Sequence, residues 1–303
     1  MNLFKPYLTH NRFLILAASL MVLLAFTFVE SDTYKQYFTE DYKIKAPFLP
    51  DHIEFAGEKM PLTESDIKER MDREIMATVF WQSNTMMILK RSRKYFAIIE
   101  PILEEYGMPE DFKYLCVAES GLSNAVSPAG ARGFWQLMEG TAKPLGLEIN
   151  EFVDERYQLE KATRSACLYF KESYASLKNW TLTAASYNRG MNGLNRDIAF
   201  QGVNSFYDLY MNEETSRYIF RIMAYKLIFE TPEVYGFYLK PEDYYKFPST
   251  QSIAVDSTIS DLSEFAKAHK SDYKTLKLLN PWLRDKSLPN KSKKKYFIEL
   301  PKE

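Results

Sequence analysis

The chain has 303 residues, a hydrophobic fraction of 46% and a formal net charge of −1. That length accommodates one full domain and a smaller one, and the apolar content excludes a chain too polar to fold. Near-neutral charge without a basic stripe argues against a nucleic-acid partner, and three scattered histidines (His10, His52, His269) with two distant cysteines show no metal-ligand spacing, so no metal and no cofactor is expected.

Residues 13–29 are apolar apart from Ser19 and Thr27. Lys5, His10 and Arg12 precede them, and Glu30 and Asp32 follow. Positive before and negative after is the pattern of an export segment whose N-terminus stays in the cytoplasm. The run is just long enough to span a bilayer. No Ala-x-Ala cleavage site follows it, so an uncleaved anchor is favoured over a cleaved signal peptide within residues 1–30. The expected location is the cell envelope, periplasmic and held to the inner membrane through residues 13–29. Residues 31–60 carry Pro47 and Pro50 and read as an extended tether.

The main domain is expected over 61–230. Thr63 is placed to cap a helix in which Ile67, Met71, Ile75 and Val79 recur with helical spacing. An interruption over 82–87 is expected next, then a helix opening on Lys90, Arg91, Arg93 and Lys94. That basic cluster reads as a solvated face. Gly107-Met108-Pro109 ends the helix and starts another, whose apolar residues Phe112, Leu115 and Cys116 lead to Glu119.

Residues 115–138 admit two readings, a helix C-cap followed by a loop and a segment that carries a catalytic carboxyl. Apolar neighbours on one helix desolvate Glu119, which disfavours its charged form. A carboxyl so raised holds a proton near neutral pH and can give it to a leaving oxygen. Ser120 and Gly121 break the helix at the rim of a cleft. A loop of small residues follows over 121–133, and Gly133–Met138 is expected to open another helix with Trp135 in the core. Gln136, on so apolar a stretch, needs hydrogen-bond partners if buried. Asp154 is expected to cap a helix over about 158–178, and further helices run from about 180 to Tyr187 and through 205–230. Cys116 and Cys167 lie in apolar helical patterns, as buried thiols or, after export, a disulfide. Residues 231–248, rich in Tyr, Pro and charge, form a linker. From 249 to 303 the pattern is strand, helix, helix, strand.

Three blocks carry a family resemblance: Glu119-Ser120-Gly121 with Ala129-Gly130-Ala131-Arg132-Gly133 and Trp135-Gln136-Leu137-Met138; Ala184-Ala185-Ser186-Tyr187-Asn188-Arg189-Gly190; and Glu214-Thr215-Ser216-Arg217-Tyr218-Ile219. In this order they resemble the goose-lysozyme-like lytic transglycosylases that cut peptidoglycan. Arg91–Phe96 and Glu110–Leu115 narrow the resemblance to a membrane-bound type, over a core of 91–230. Ser186 and Arg189 depart from the family's second motif. The last block, Leu276–Pro281 with its closing strand, resembles the glycan-binding LysM module, although Asp256-Ser257-Thr258 stands where Gly-Asp-Thr is usual.

The resemblance implies a mainly α protein, with a lysozyme-like helical catalytic domain and a small α+β (βααβ) C-terminal module. It implies Glu119 as the single acid/base, cleaving between N-acetylmuramic acid and N-acetylglucosamine with the sugar's own N-acetyl group assisting. Ser120, Gln136, Met138, Tyr187, Asn188, Tyr218 and Glu214 are the implied substrate-binding residues. Glu214 could instead be a helix N-terminal carboxylate paired with Arg217. Peptidoglycan strands are the expected partner of a monomeric enzyme. Two alternatives remain open: a lysozyme-type hydrolase that recruits water, and a non-catalytic peptidoglycan-binding protein.

Overall fold

A computed structural model describes residues 44–302. The apolar run 13–29 lies outside the described residues, and among those described no helix is long and apolar enough to cross a membrane. From Pro47 onward the chain is one compact unit.

Residues 53–60 do more than tether. They form a hairpin, β1 (Glu54–Phe55) against β2 (Glu58–Lys59), turned at Ala56 and Gly57, both with positive φ. Ile53, Phe55 and Met60 are buried in the main core. Helix α1 (Ser65–Phe80) buries the stripe Ile67, Met71, Ile75 and Val79. Its N-cap is Glu64, with no side-chain bond, so Thr63 does not cap it. Trp81, at φ −84° and ψ 53°, breaks the run, and α2 (Gln82–Glu105) follows at once. The interruption expected over 82–87 is therefore a single residue, and the basic cluster lies within a helix.

That cluster is not simply solvated. The linker crosses it: Arg93 lies over the Tyr244 ring at 3.9 Å, Lys94 over Phe247 at 4.4 Å and Lys90 over Tyr245 at 5.4 Å. Cation–π attraction explains why a linker rich in tyrosine follows this face.

Helix α3 (Phe112–Ser120) buries residues 112–117 without interruption. Helix α4 (Glu139–Ala142) is one turn. Helices α5 (Leu159–Leu177), α6 (Trp180–Arg189), α7 (Met191–Gln201) and α8 (Glu213–Glu230) complete the helical domain. α8 packs on α1, α3 and α6, and α2 packs on α3 and α5. Asp154 does cap, but the cap serves the short 3-10 turn Glu155–Tyr157, and α5 starts from Gln158.

The C-terminal module runs β3 (Thr250–Val255), α9 (Leu262–Ala268), α10 (Tyr273–Leu279) and β4 (Tyr296–Pro301). Its strands pair antiparallel, Ile253 opposite Ile298 and Val255 opposite Tyr296. Asp261 and Asp272 cap the two helices. Fully buried Asn280 bonds the carbonyls of Leu276 and Glu299 and accepts from the Glu299 amide, tying α10 to β4.

Candidate active site

Glu119 stands in the last turn of α3. Three and four residues before it, Cys116 and Leu115 are fully buried. Gly121 then takes a left-handed conformation (φ 57°, ψ 35°) and its amide closes the helix on the Val117 carbonyl at 2.8 Å. Glycine meets that φ without the strain a side chain would bring. Arg91 of α2 caps the end, its Nη1 donating to the Gly121 carbonyl at 3.0 Å.

The Glu119 residue keeps some exposure, while its carboxyl is enclosed. The Tyr218 hydroxyl of α8 donates to Glu119 Oε1. Loss of water raises the Glu119 pKa from 4.5 to about 7; the Tyr218 bond pulls it down, the Glu214 charge pushes it up and Arg221 pulls it down. Both tyrosines that face this carboxyl, Tyr187 and Tyr218, have phenols raised well above their ordinary value, by burial and then by the Glu119 charge. They remain donors at neutral pH.

Tyr187 lies on α6, and its hydroxyl donates to the Trp135 carbonyl at 2.7 Å. Segment 133–138 is a tight turn rather than the expected helix, with Arg132 bridged to Leu137. Gln136 sits at its tip with φ 46°. A non-glycine residue there is strained, and the side chain compensates: Nε2 donates to the Gly133 carbonyl at 2.7 Å and to Ala125 at 3.0 Å. The bonds expected of Gln136 are thus made with its own loop. Trp135 is fully buried and donates to Thr163 Oγ1 at 2.8 Å, as a core residue. Met138 is exposed. Gly133 is required sterically, because a Cβ there would collide with the Arg156 carbonyl.

Ser120 accepts weakly from the Ser123 amide at 3.4 Å and shapes the turn after Glu119. Asn188 connects α6 to the start of α8: Oδ1 accepts from Thr215 Oγ1 at 2.8 Å and Nδ2 donates to Glu214 Oε1 at 3.1 Å. Glu214 is exposed in the first turn of α8 and bonded to Asn188, a helix N-terminal carboxylate as the alternative had it, but without the Arg217 pairing. Arg217 instead binds buried Glu74 at 2.5 Å, and Glu213 at 3.4 Å. Arg189 pairs with Asp197 at 2.7 Å on the α6–α7 corner, which accounts for its departure from the motif. The structure therefore gathers Glu119, Tyr187 and Tyr218, links Asn188 of α6 to Glu214 in the first turn of α8, and uses Gln136 to hold the loop.

Arg221 and Glu74 were missed in the sequence. Arg221 follows Tyr218 by three residues and so shares its helix face; its Nε lies 3.8 Å from Glu74 Oε2. The available signal was Glu74 itself, a carboxylate on the buried stripe of α1 between Met71 and Ile75. Cys116 and Cys167 are buried free thiols, not a disulfide.

The site is thus one desolvated carboxyl that accepts from Tyr218 and lies beside Tyr187 in a helical domain. Residues 96–209 match the Transglycosylase SLT domain. Residues 251–303 match the soluble lytic transglycosylase C-terminal LysM-like domain. The two matches leave residues 1–95 and 210–250 uncovered. The chain is also similar to the membrane-bound lytic murein transglycosylase D of Escherichia coli strain K12, 26% identical over 192 residues, which are 61% of this chain and 42% of that protein. The protein of that name from Escherichia coli O6:H1 matches to the same extent. The chain thus spans less than half the length of these curated relatives. Tyr218, Glu214 and Arg221 all lie beyond the matched SLT residues.

Proposed function

We propose that this protein is a peptidoglycan lytic transglycosylase of the cell envelope, cleaving the β-1,4 bond between N-acetylmuramic acid and N-acetylglucosamine. The observation that carries the reading is Glu119: a carboxyl with a pKa of about 7, enclosed at the end of α3 and oriented by Tyr218. The SLT domain and the murein transglycosylase relatives support the reaction class.

With Oε1 accepting from Tyr218, Oε2 carries the transferable proton. It passes to the glycosidic oxygen as the C1–O bond breaks. The acetamido oxygen of the same sugar closes on C1 and spreads the positive charge, as in substrate-assisted exceptions to the two-carboxylate rule. Glu119, now a carboxylate, takes the proton of the muramoyl 6-hydroxyl. That oxygen displaces the acetamido oxygen at C1, and a 1,6-anhydro end forms with no water consumed. Tyr187 and Asn188 orient the sugar beside the acid, and Ser120 and Gln136 hold the surrounding turns. Glu214 is exposed and bonded to Asn188, an arrangement that supports a field on Glu119 over a role as second catalytic carboxylate.

Mass spectrometry of purified peptidoglycan digested by the protein, beside Glu119→Gln, tests this. Anhydro-muramic products are expected, with activity falling by about 10²–10⁴-fold or more in the variant. Reducing ends heavier by one water would instead establish hydrolysis, and an active Glu119→Gln enzyme would remove Glu119 from its role.

A further inference from the structure

The C-terminal module is joined to the helical domain by more than a linker. Segment 148–157, which lies between the 130–137 loop and α5, bridges to the module's loop 282–284 after α10. Val153 bridges Leu283, the Asp154 amide donates to the Trp282 carbonyl at 2.9 Å, and the Arg284 amide donates to the Phe152 carbonyl at 2.8 Å. Val153 and Tyr157 are buried within the module's own core, among Leu262, Leu276, Leu283 and Ile298. The Arg284 guanidinium covers the Tyr157 ring at 4.1 Å. Polar contacts close the edge: Tyr296 donates to both Glu148 oxygens at 3.0 and 3.1 Å, and Lys294 binds Glu148 at 2.5 Å and Glu155 at 3.3 Å.

The same segment holds the cleft loop from its other side. Arg156 is buried and paired with Asp154 through two bonds, Nε to Oδ1 at 2.9 Å and Nη2 to Oδ2 at 2.8 Å. Its remaining nitrogen, Nη1, donates to the carbonyls of Leu137 at 3.2 Å and Gly130 at 3.3 Å. Gly133 packs directly on the Arg156 backbone. The loop in turn meets the site at two places, the Trp135 carbonyl on Tyr187 and the Phe134 carbonyl on the Cys116 thiol at 3.5 Å.

We propose that the C-terminal module is a buttress of the active-site loop: by completing its core with Val153 and Tyr157 it fixes segment 148–157, and Arg156 of that segment is the positioning residue that holds loop 130–137 against Tyr187. A buried guanidinium shared between a carboxylate and two backbone carbonyls has few alternative arrangements. When the segment loosens, all of those bonds loosen together. The module's docked state thereby sets the catalytic geometry, whatever glycan its free face binds. The catalytic consequence rests on the proposed function, whereas the loop's dependence on the module does not.

The test uses the full chain and the half-exposed Lys294. Lys294→Glu places a third acid against Glu148 and Glu155 without touching the core, and the exchange Glu148→Lys with Lys294→Glu restores an opposite-charge pair. Hydrogen exchange is read by segment, and kcat and KM are read on peptidoglycan. Lys294→Glu is expected to speed exchange several-fold in 130–137 and 148–157, with helices α1 and α8 unchanged, and to lower kcat with little change in KM. The double exchange recovers part of both. Faster exchange confined to the module overturns the proposal, as does an equal rise throughout the chain, which would make the pair a global stabiliser. A responsive loop in a protein that cuts no peptidoglycan upholds the buttress and removes the proposed function.

Discussion

Burial of Glu119 has a thermodynamic cost with a definite sign. Its pKa is raised to about 7 in the folded state. An acid whose folded pKa exceeds its unfolded value binds more protons when folded, so stability falls as pH rises between the two values. Below about pH 4 the carboxyl is neutral in both states and the cost is absent. Above pH 7 the full cost remains, on the order of 3 kcal/mol at most, since part of the residue still meets solvent. Glu119→Gln removes the ionisation and keeps the acceptor for Tyr218. The variant is expected to unfold at a higher temperature than the parent at pH 8 and at nearly the same temperature at pH 4, as thermal melts at the two pH values would measure. In the proposed reaction Glu119 must be protonated to act, so activity is expected to decline as pH rises through about 7. Tyr218→Phe removes the bond that lowers this pKa. Its alkaline limb is expected at higher pH than the parent's, and kcat against pH checks it; an unmoved limb would mean that Tyr218 acts only through packing.

At the scale of elements, the three helices that carry the site are held from behind by the N-terminal hairpin. Glu58 of β2 accepts from the amides of Trp180 and Thr181 at 2.6 and 2.8 Å and from the Thr181 hydroxyl at 2.7 Å. A carboxylate at the start of α6 satisfies free amides and complements the helix dipole. Asp111, before α3, accepts from the Ala56 amide at 2.7 Å, and Lys226 of α8 donates to Asp111 at 2.7 Å and to the Glu54 carbonyl at 2.9 Å. Hairpin residues Glu54, Ala56 and Glu58 thus connect α3, α6 and α8, the sources of Glu119, Tyr187 and Tyr218. Glu58→Ala is expected to cost about 1–3 kcal/mol, measured by denaturant unfolding, and to raise hydrogen exchange in the first turn of α6. This hairpin was illegible in the sequence because its contacts lie 55 to 172 residues away, and a two-residue strand leaves no periodicity to detect. The stripes of α1 and α5, by contrast, were legible because each helix buries one face continuously against the core.

At the scale of the molecule, the helical domain completes the module's core. Val153 and Tyr157 are contributed by one domain and enclosed by the other, so neither can unfold without exposing the partner's apolar surface. A single cooperative transition is expected in calorimetry. Leu283→Ala, at a fully buried position opposite Val153, is expected to cost about 2–5 kcal/mol and to lower that one transition; two separated transitions would show instead that the domains are thermodynamically independent. The same packing explains why the 133–138 turn was misread. Its aromatic and aliphatic residues have the composition of a helix, but Gly133 against Arg156 and Trp135 against Thr163 require a turn there. That requirement comes from a segment some twenty residues on, which local pattern does not report.

The sequence alone determined the helical class of the main domain and the strand-helix-helix-strand order of the module, and its family resemblance singled out Glu119 as the candidate acid. The first two follow from short-range physics, apolar spacing and capping residues, whereas the third rests on motifs shared with a family. Only the tertiary structure decided what surrounds that acid. Tyr218 is ninety-nine residues from Glu119 in the chain and bonds it directly, Gln136 turns its amide to its own loop, and the basic cluster of α2 lies under the linker's aromatic rings. These are contacts between elements, chosen by which faces meet when the core closes, and the chain specifies them only by folding.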